Sequence, residues 1–232
     1  MRFALLSDIH ANLTGLRAVA TAIEVDGPFD QVIVAGDHLV GGARPVETWE
    51  ALRELGWTLV RGNHDDDVAG KPLPDYGASH EGTAEHVRWT RERVGPAIAR
   101  ELGELPFSVR VATPAGDLLA VHSSPRSTYD KCGGPHNTLE EVEAAYGGTG
   151  ATAIAYGHWH ASYVRPTPTA LLMNVASVGL PKHGLPLAAY TVLTGTEQGW
   201  CVEQRQVPYD SAEERAAAAA VGLPAWEPRP RA

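Results

Sequence analysis

Thr58-Leu59-Val60-Arg61-Gly62-Asn63-His64-Asp65 is a short apolar run that ends beside a glycine and then presents three polar side chains in succession. The same arrangement recurs outward in both directions. Upstream, Phe3–Leu6 precedes Asp8-Ile9-His10 and Val32–Ala35 precedes Gly36-Asp37; downstream, Leu118–Val121 leads to His122, and Ala153–Tyr156 leads to Gly157-His158-Trp159-His160. Runs of this length, rich in Val, Ile, Leu and Ala and punctuated by Gly or a polar residue, read as buried strands. Ligands of open α/β sheets bind just beyond the carboxyl ends of the strands. Five such ends, each delivering Asp, Asn or His, describe one polar site on a rigid base.

Between the strands the pattern alternates. Leu13, Leu16, Val19, Ala20 and Ile23 fall on one face of a helix over about 13–25. A second helix starts near Pro45 and stops at Gly56. Residues 65–77, rich in Asp, Gly and Pro, read as a loop, and helices are expected at about 79–93 and 96–102. Strands near 107–112 and 117–122 flank Pro114-Ala115-Gly116, a hairpin signal. Thr138-Leu139-Glu140-Glu141 opens a helix with a capping box. Short strands follow at about 152–156, 162–166, 170–175, 187–193 and 199–206, and Ser211-Ala212-Glu213-Glu214 starts a last Ala-rich helix. Early βα units and a β-rich second half suggest two packed sheets with helices outside. No linker-like stretch divides the 232 residues, so one domain over 1–232 is expected, with about 222–232 an irregular tail.

Composition sets further bounds. An apolar content of 44% with 20% charged residues fits a sizeable globular core. A net charge of −9 argues against gripping duplex nucleic acid through its phosphates. It leaves room for a small phosphorylated substrate, because bound dications reverse the local charge. Cys132 and Cys201 are the only cysteines, too few for a disulfide framework or a thiolate metal site. The opening apolar stretch ends at Asp8, too short for a signal peptide or membrane span, so a cytoplasmic location without membrane attachment is the default expectation. Oligomeric state is not legible.

Asp8, His10, Asp37, Asn63, His122, His158 and His160 offer oxygen and imidazole donors without thiolate, a set suited to Mn²⁺, Fe²⁺ or Zn²⁺. They exceed what one four-coordinate structural zinc requires. Two ions sharing a carboxylate use the set more naturally, and ion pairs about 3.5–4 Å apart clamp the attacking and leaving oxygens of phosphoryl transfer. The spacings Asp8/His10 and His158/His160 project each pair the same way if the chain is extended there. Taken singly, Asp8, Asp37 and Asn63 would serve as well in caps or turns, and His122 as a core histidine. Only the set favours metal.

The ordered series Asp-x-His, Gly-Asp, Gly-Asn-His-Asp, His and Gly-His-x-His resembles the calcineurin-like metallophosphoesterase superfamily, and more narrowly its small single-domain bacterial and archaeal phosphodiesterases. The likeness extends through Gly41-Gly42, Trp89-Thr90, Leu105-Pro106, Ser177-Val178-Gly179 with Pro181, and Tyr209-Asp210. It implies a four-layer α/β/β/α sandwich of two mixed sheets and a dinuclear centre, with Mn²⁺ favoured and Fe, Zn, Ni or Mg as alternatives. Asp8, His10, Asp37 and His160 would hold one ion and Asp37, Asn63, His122 and His158 the other, with Asp37 bridging. A bridging hydroxide would attack phosphorus while His64 stabilises the phosphate and protonates the leaving oxygen, its ring oriented by Asp65. The implied function is phosphodiester hydrolysis. The same centre would serve phosphomonoesters or a nucleotide pyrophosphate bond. In another class, some members resemble the retromer subunit that uses this fold as a non-catalytic scaffold.

Three positions depart from the family pattern: Ser123 stands for Gly, Asn174-Val175-Ala176-Ser177 for Asn-Pro-Gly-Ser, and His38 for an apolar residue. Asn63, His64 and Arg126 are the substrate-side expectations; Arg126 brings a planar fork suited to phosphate. His38 and His183 are weaker candidates on that side. The segment 123–137, with Tyr129 and Lys131, is placed to overhang the site. Asp66 and Asp67 read as solvated loop residues, His80 and His86 as surface residues, and His136 as a loop residue.

Overall fold

The computed structural model describes residues 1–74 and 82–223. In chain order its elements are β1 (Arg2–Leu6), α1 (Leu13–Asp26), β2 (Gln31–Ala35), α2 (Pro45–Leu55), β3 (Thr58–Val60), α3 (Asn63–Ala69) and α4 (Thr83–Glu104). Then come β4 (Ser108–Thr113), β5 (Gly116–Val121), α5 (Leu139–Tyr146), β6 (Ala153–Tyr156), β7 (Ser162–Pro166), β8 (Leu171–Val175), β9 (Leu187–Thr196), β10 (Gly199–Pro208) and α6 (Ser211–Ala220).

The strands form two five-stranded mixed sheets, ordered β10-β9-β1-β2-β3 and β4-β5-β6-β8-β7. In the first, β1, β2 and β3 run parallel; in the second, β5, β6 and β8 do. Antiparallel neighbours close the remaining edges. Alternation of side chains explains why the central strands are apolar throughout. Phe3 and Leu5 face a core between the sheets with Leu118, Ala120, Ala153 and Met173, whereas Ala4 and Leu6 face helix residues such as Leu16, Val19 and Leu52. Leu119, Val121, Ile154 and Tyr156 form a third core with Val142 and Tyr146 of α5. Strands buried on both faces lose the polar alternation of a one-sided sheet. The layers are thus helix, sheet, sheet, helix, as the resemblance implied.

Local readings differ in two places. Residues 63–69 are helical, so the expected loop begins later; its last residues, 75–77, lie outside the described residues, as do the start of the expected helix with His80 and 224–232 of the expected tail. The two helices expected at about 79–93 and 96–102 are present as the two arms of α4, from Thr83, parted by the non-helical Gly95 (φ 69°, ψ 178°) ahead of Pro96. Pro lacks the N–H a helix interior needs, and Gly takes the left-handed angle without a Cβ clash. His86 is 8% exposed on the inner side of that element, not at the surface. Among the described residues no helix is long and apolar enough to cross a membrane.

Candidate metal centre

All five expected motifs converge at the carboxyl ends of β1, β2, β3, β5 and β6. Backbone hydrogen bonds tie their loops together: Asp8 N to Gly36 O (2.9 Å), His10 N to Asp37 O (3.1 Å), and Gly157 N to His122 O (2.9 Å). Gly36, at φ 91°, allows this approach, because a Cβ there would sit 2.6 Å from His122 Nδ1. The loop after β8 straps the first motif through Ser177 Oγ, which donates to Asp8 O at 2.7 Å.

Three histidines are fixed in one tautomer. Nδ1 of His10 lies 2.7 Å from Val40 O, that of His122 2.7 Å from Ala35 O, and that of His160 2.9 Å from Leu180 O. A carbonyl only accepts, so each Nδ1 carries hydrogen and each Nε2 is turned into the pocket. There the ring nitrogens meet further nitrogen and oxygen atoms at close range. His10 Nε2 and His160 Nε2 face each other at 3.2 Å, with Asp8 Oδ1 3.0 Å from the latter. His122 Nε2 faces Asn63 Oδ1 (2.9 Å), His158 Nδ1 (3.2 Å) and Asp37 Oδ2 (3.4 Å). Asp8 Oδ1 is buried without a hydrogen-bond donor.

Ring nitrogens and carboxylate oxygens gathered around one buried space suit a cation among them, and imidazoles held from behind by carbonyls are the usual outer support of metal ligands. The donor set therefore fits divalent ions. Asp8, His10 and His160 form one compact group of donor atoms, and Asp8, Asp37 and His122 a second. The carboxylate common to these groups is Asp8, whereas the resemblance gave that place to Asp37.

The protonation pattern has the same origin. Burial opposes ionisation of Asp8 and Asp37, but surrounding imidazoles outweigh it and hold both below the usual carboxylate range. Burial likewise opposes an imidazolium at His122, yet Asp37 overrides it and pushes His122 up to about 10. His158, desolvated and beside that charge, is driven down to about 3. The pocket seeks positive charge, and a proton on His122 supplies it when nothing else does.

The extended-chain argument for the i,i+2 pairs does not hold. Asp8, His10, Asp37, His158 and His160 all have φ between 52° and 65°. Asp8 and His10 converge through a left-handed turn, their donor atoms 3.7 Å apart. His158 and His160 part company, one beside Asn63 (2.9 Å), the other beside Asp8. Ala176 is also left-handed, at φ 62°, where the family pattern has Gly.

Asp65 does not orient His64. Its carboxylate accepts from Gly62 N (2.7 Å), Asp37 N (3.1 Å), His38 N (3.1 Å) and His38 Nδ1 (2.8 Å). Adjacent helix residues point apart, whereas i and i+3 share a face. His64 Nδ1 accordingly meets Asp67 Oδ2 at 2.9 Å. Burial disfavours the imidazolium of His64, but Asp37 and Asp67 more than offset it and raise its pKa. Asp66 and Asp67 are fully buried, contrary to the solvated-loop reading; Asp66 pairs with Arg61 and Lys71, each at 2.8 Å. His38, fully buried against Asp65, is a scaffold residue with no face to substrate.

Arg126 is exposed, its Nε 4.0 Å from Asp130, and no contact joins it to the cluster. His183 is exposed, its Nδ1 accepting from Leu185 N at 3.1 Å, and His136 is exposed in a loop. Segment 123–137 does reach α3, through Thr128 and Tyr129. Sequence reasoning missed Asp67; its signal was the three-residue spacing from His64, usable only once 63–69 is read as helix.

A fold of this kind with clustered Asp and His donors defines a metallophosphoesterase. The family model for the calcineurin-like phosphoesterase superfamily domain matches residues 1–198, and the chain belongs to that superfamily. An uncharacterized protein of Methanocaldococcus jannaschii is similar at 27% identity, covering 89% of this chain and 87% of its own length. Among solved structures, a metallophosphoesterase from Sphaerobacter thermophilus has a TM-score of 0.75 at 24% identity, covering 97% of this chain and 95% of that one. A hypothetical protein from Pyrococcus horikoshii has a TM-score of 0.79 at 17% identity, covering 96% and 94%.

Proposed function

We propose that this chain, acting as one domain, is a metal-dependent hydrolase of a small phosphodiester. The observation that carries the reading is the convergence of His10 Nε2, His160 Nε2 and the buried Asp8 Oδ1 in one place, with Asp37 Oδ2 between His122 and His64. In this reading Asp8, His10 and His160 would hold one divalent ion and Asn63, His122 and His158 the other; Asp37 would serve both by the family resemblance, while Asp8 is the carboxylate that the two compact donor groups share. Two bound dications, Mn²⁺ favoured, would supply charge stabilisation and a nucleophile at neutral pH. His64 keeps its Nδ1–H on Asp67, so the proton it can give away is on Nε2, 3.9 Å from Asp37 Oδ2 and directed into the cluster. It donates that proton to the departing alcohol oxygen. Preference for a diester rests on the family resemblance alone; a monoester or pyrophosphate would use the same donors.

The test compares bis-p-nitrophenyl phosphate with p-nitrophenyl phosphate, using protein loaded with Mn²⁺ and protein treated with chelator. His64→Ala should retain metal but lose roughly 10²–10⁴-fold in turnover, the range for a general acid. Asp37→Asn should lower the metal content itself. Fully loaded protein that turns over neither ester would favour the scaffold alternative, and equal metal content in both variants would refute the division of roles.

A further inference from the structure

The segment following His122 crosses α3, and one of its side chains completes a chain of contacts behind His64. Tyr129 OH donates to Asp67 Oδ1 at 2.7 Å and lies 3.2 Å from Asn63 O. The other oxygen of the same carboxylate accepts from His64 Nδ1 at 2.9 Å. Asp67, in the middle of the series, is fully buried, while the His64 side chain is 11% exposed.

We propose that Tyr129 is a positioning residue for His64, acting through Asp67; this rests on the hydrolytic reading above. A carboxylate engaged at both oxygens cannot turn about its terminal torsion without breaking both hydrogen bonds. Tyr129 thereby keeps Oδ2 on the imidazole and Nε2 aimed at the leaving oxygen. A phenol suits the task because it donates while leaving the carboxylate its charge, which an ammonium or guanidinium in contact would offset.

The proton accounting is simple. A water-derived oxygen bonds phosphorus, releasing a proton to solvent, and the bond from phosphorus to the ester oxygen breaks with its electron pair going to that oxygen. The ester oxygen takes the Nε2 proton of His64 and leaves as alcohol. His64 is left neutral, still donating from Nδ1 to Asp67, and regains a proton from solvent. Tyr129 and Asp67 exchange none.

The experiment uses the full chain with Mn²⁺, Tyr129→Phe, and two probes, methyl p-nitrophenyl phosphate and methyl phenyl phosphate. p-Nitrophenolate departs with little help, whereas phenolate depends more on the acid. Tyr129→Phe should slow the phenyl ester roughly tenfold, a fraction of a general acid's contribution, and leave the p-nitrophenyl ester and both KM values nearly unchanged. Thr128→Val removes a neighbouring contact of the same segment, from Thr128 Oγ to Asp66 Oδ2 at 2.9 Å, and should show no leaving-group dependence. An independent readout is ¹⁵N–¹H NMR of the His64 Nδ1–H, assigned by its loss in His64→Ala. Its exchange-protected signal should broaden or vanish in Tyr129→Phe, with or without metal. Equal slowing of both esters, the same pattern in Thr128→Val, or an unchanged His64 signal in Tyr129→Phe would overturn the proposal. If wild type turns over neither probe the hydrolytic reading fails instead, and the NMR signal still decides whether Tyr129 controls the ring.

Discussion

Replacing Asp65 by Asn separates scaffold from chemistry. The native carboxylate receives four donors in a fully buried setting: three backbone N–H groups, from Gly62, Asp37 and His38, and the His38 ring. An amide offers one acceptor oxygen and turns its NH₂ toward the remaining donors, so about half of these hydrogen bonds are lost. Hydrogen bonds to a charged group contribute about 1.5–3 kcal/mol each, so two lost bonds cost about 3–6 kcal/mol. That is a large share of the roughly 5–15 kcal/mol that keeps a domain folded. At about 2–4 °C per kcal/mol for a chain of this size, the melting temperature should fall by roughly 6–24 °C. Thermal and urea unfolding of metal-free protein give the measurement, with Asp67→Asn beside it; that variant should lose less stability and more turnover. An Asp65→Asn protein within about 1 kcal/mol of wild type that has nonetheless lost turnover would refute the assignment and return Asp65 to the chemistry.

Chelation should destabilise the protein, and Mn²⁺ at a hundred times its Kd should restore about 2.7 kcal/mol, read as a rise in melting temperature; no rise in the chelated protein would contradict the metal centre. Alkaline stability follows from Tyr156, whose OH donates to Gly133 O at 2.9 Å and whose pKa is raised by burial and then by Tyr163. Because the folded value lies above the unfolded one, its contribution is complete below the unfolded phenol value of about 10 and is lost as pH rises past it. Melting temperature should therefore fall above that pH, less steeply in Tyr156→Phe, and parallel declines would show that Tyr156 is not responsible.

The layers and the seven candidate ligands were legible because each central strand is apolar on both faces and stops abruptly at its polar residue. Helix α3 was not legible. Asn63, Asp65, Asp66 and Asp67 rank low in helix propensity, and the helix exists because each aspartate finds a buried partner from elsewhere in the chain. Asp67 stayed hidden for that reason, and Asp65 took its place by mere adjacency to His64. His38 looked available for substrate because sequence does not show that Asp65 bends back to meet it. Left-handed backbone at Asp8, His10, His158 and His160 was likewise invisible, since nothing in Asp-x-His or His-x-His distinguishes a turn from an extended pair.

Those left-handed residues bear on how the centre meets its ions. Non-glycine residues so held cost about 1–3 kcal/mol apiece, least for Asp and His, and five of the seven ligands pay it at once. The expense falls on folding, before any ion arrives. If these candidate residues are the ligands, uptake would need no rearrangement of the main chain, and selection among ions would be made by radius and donor preference in a preshaped socket.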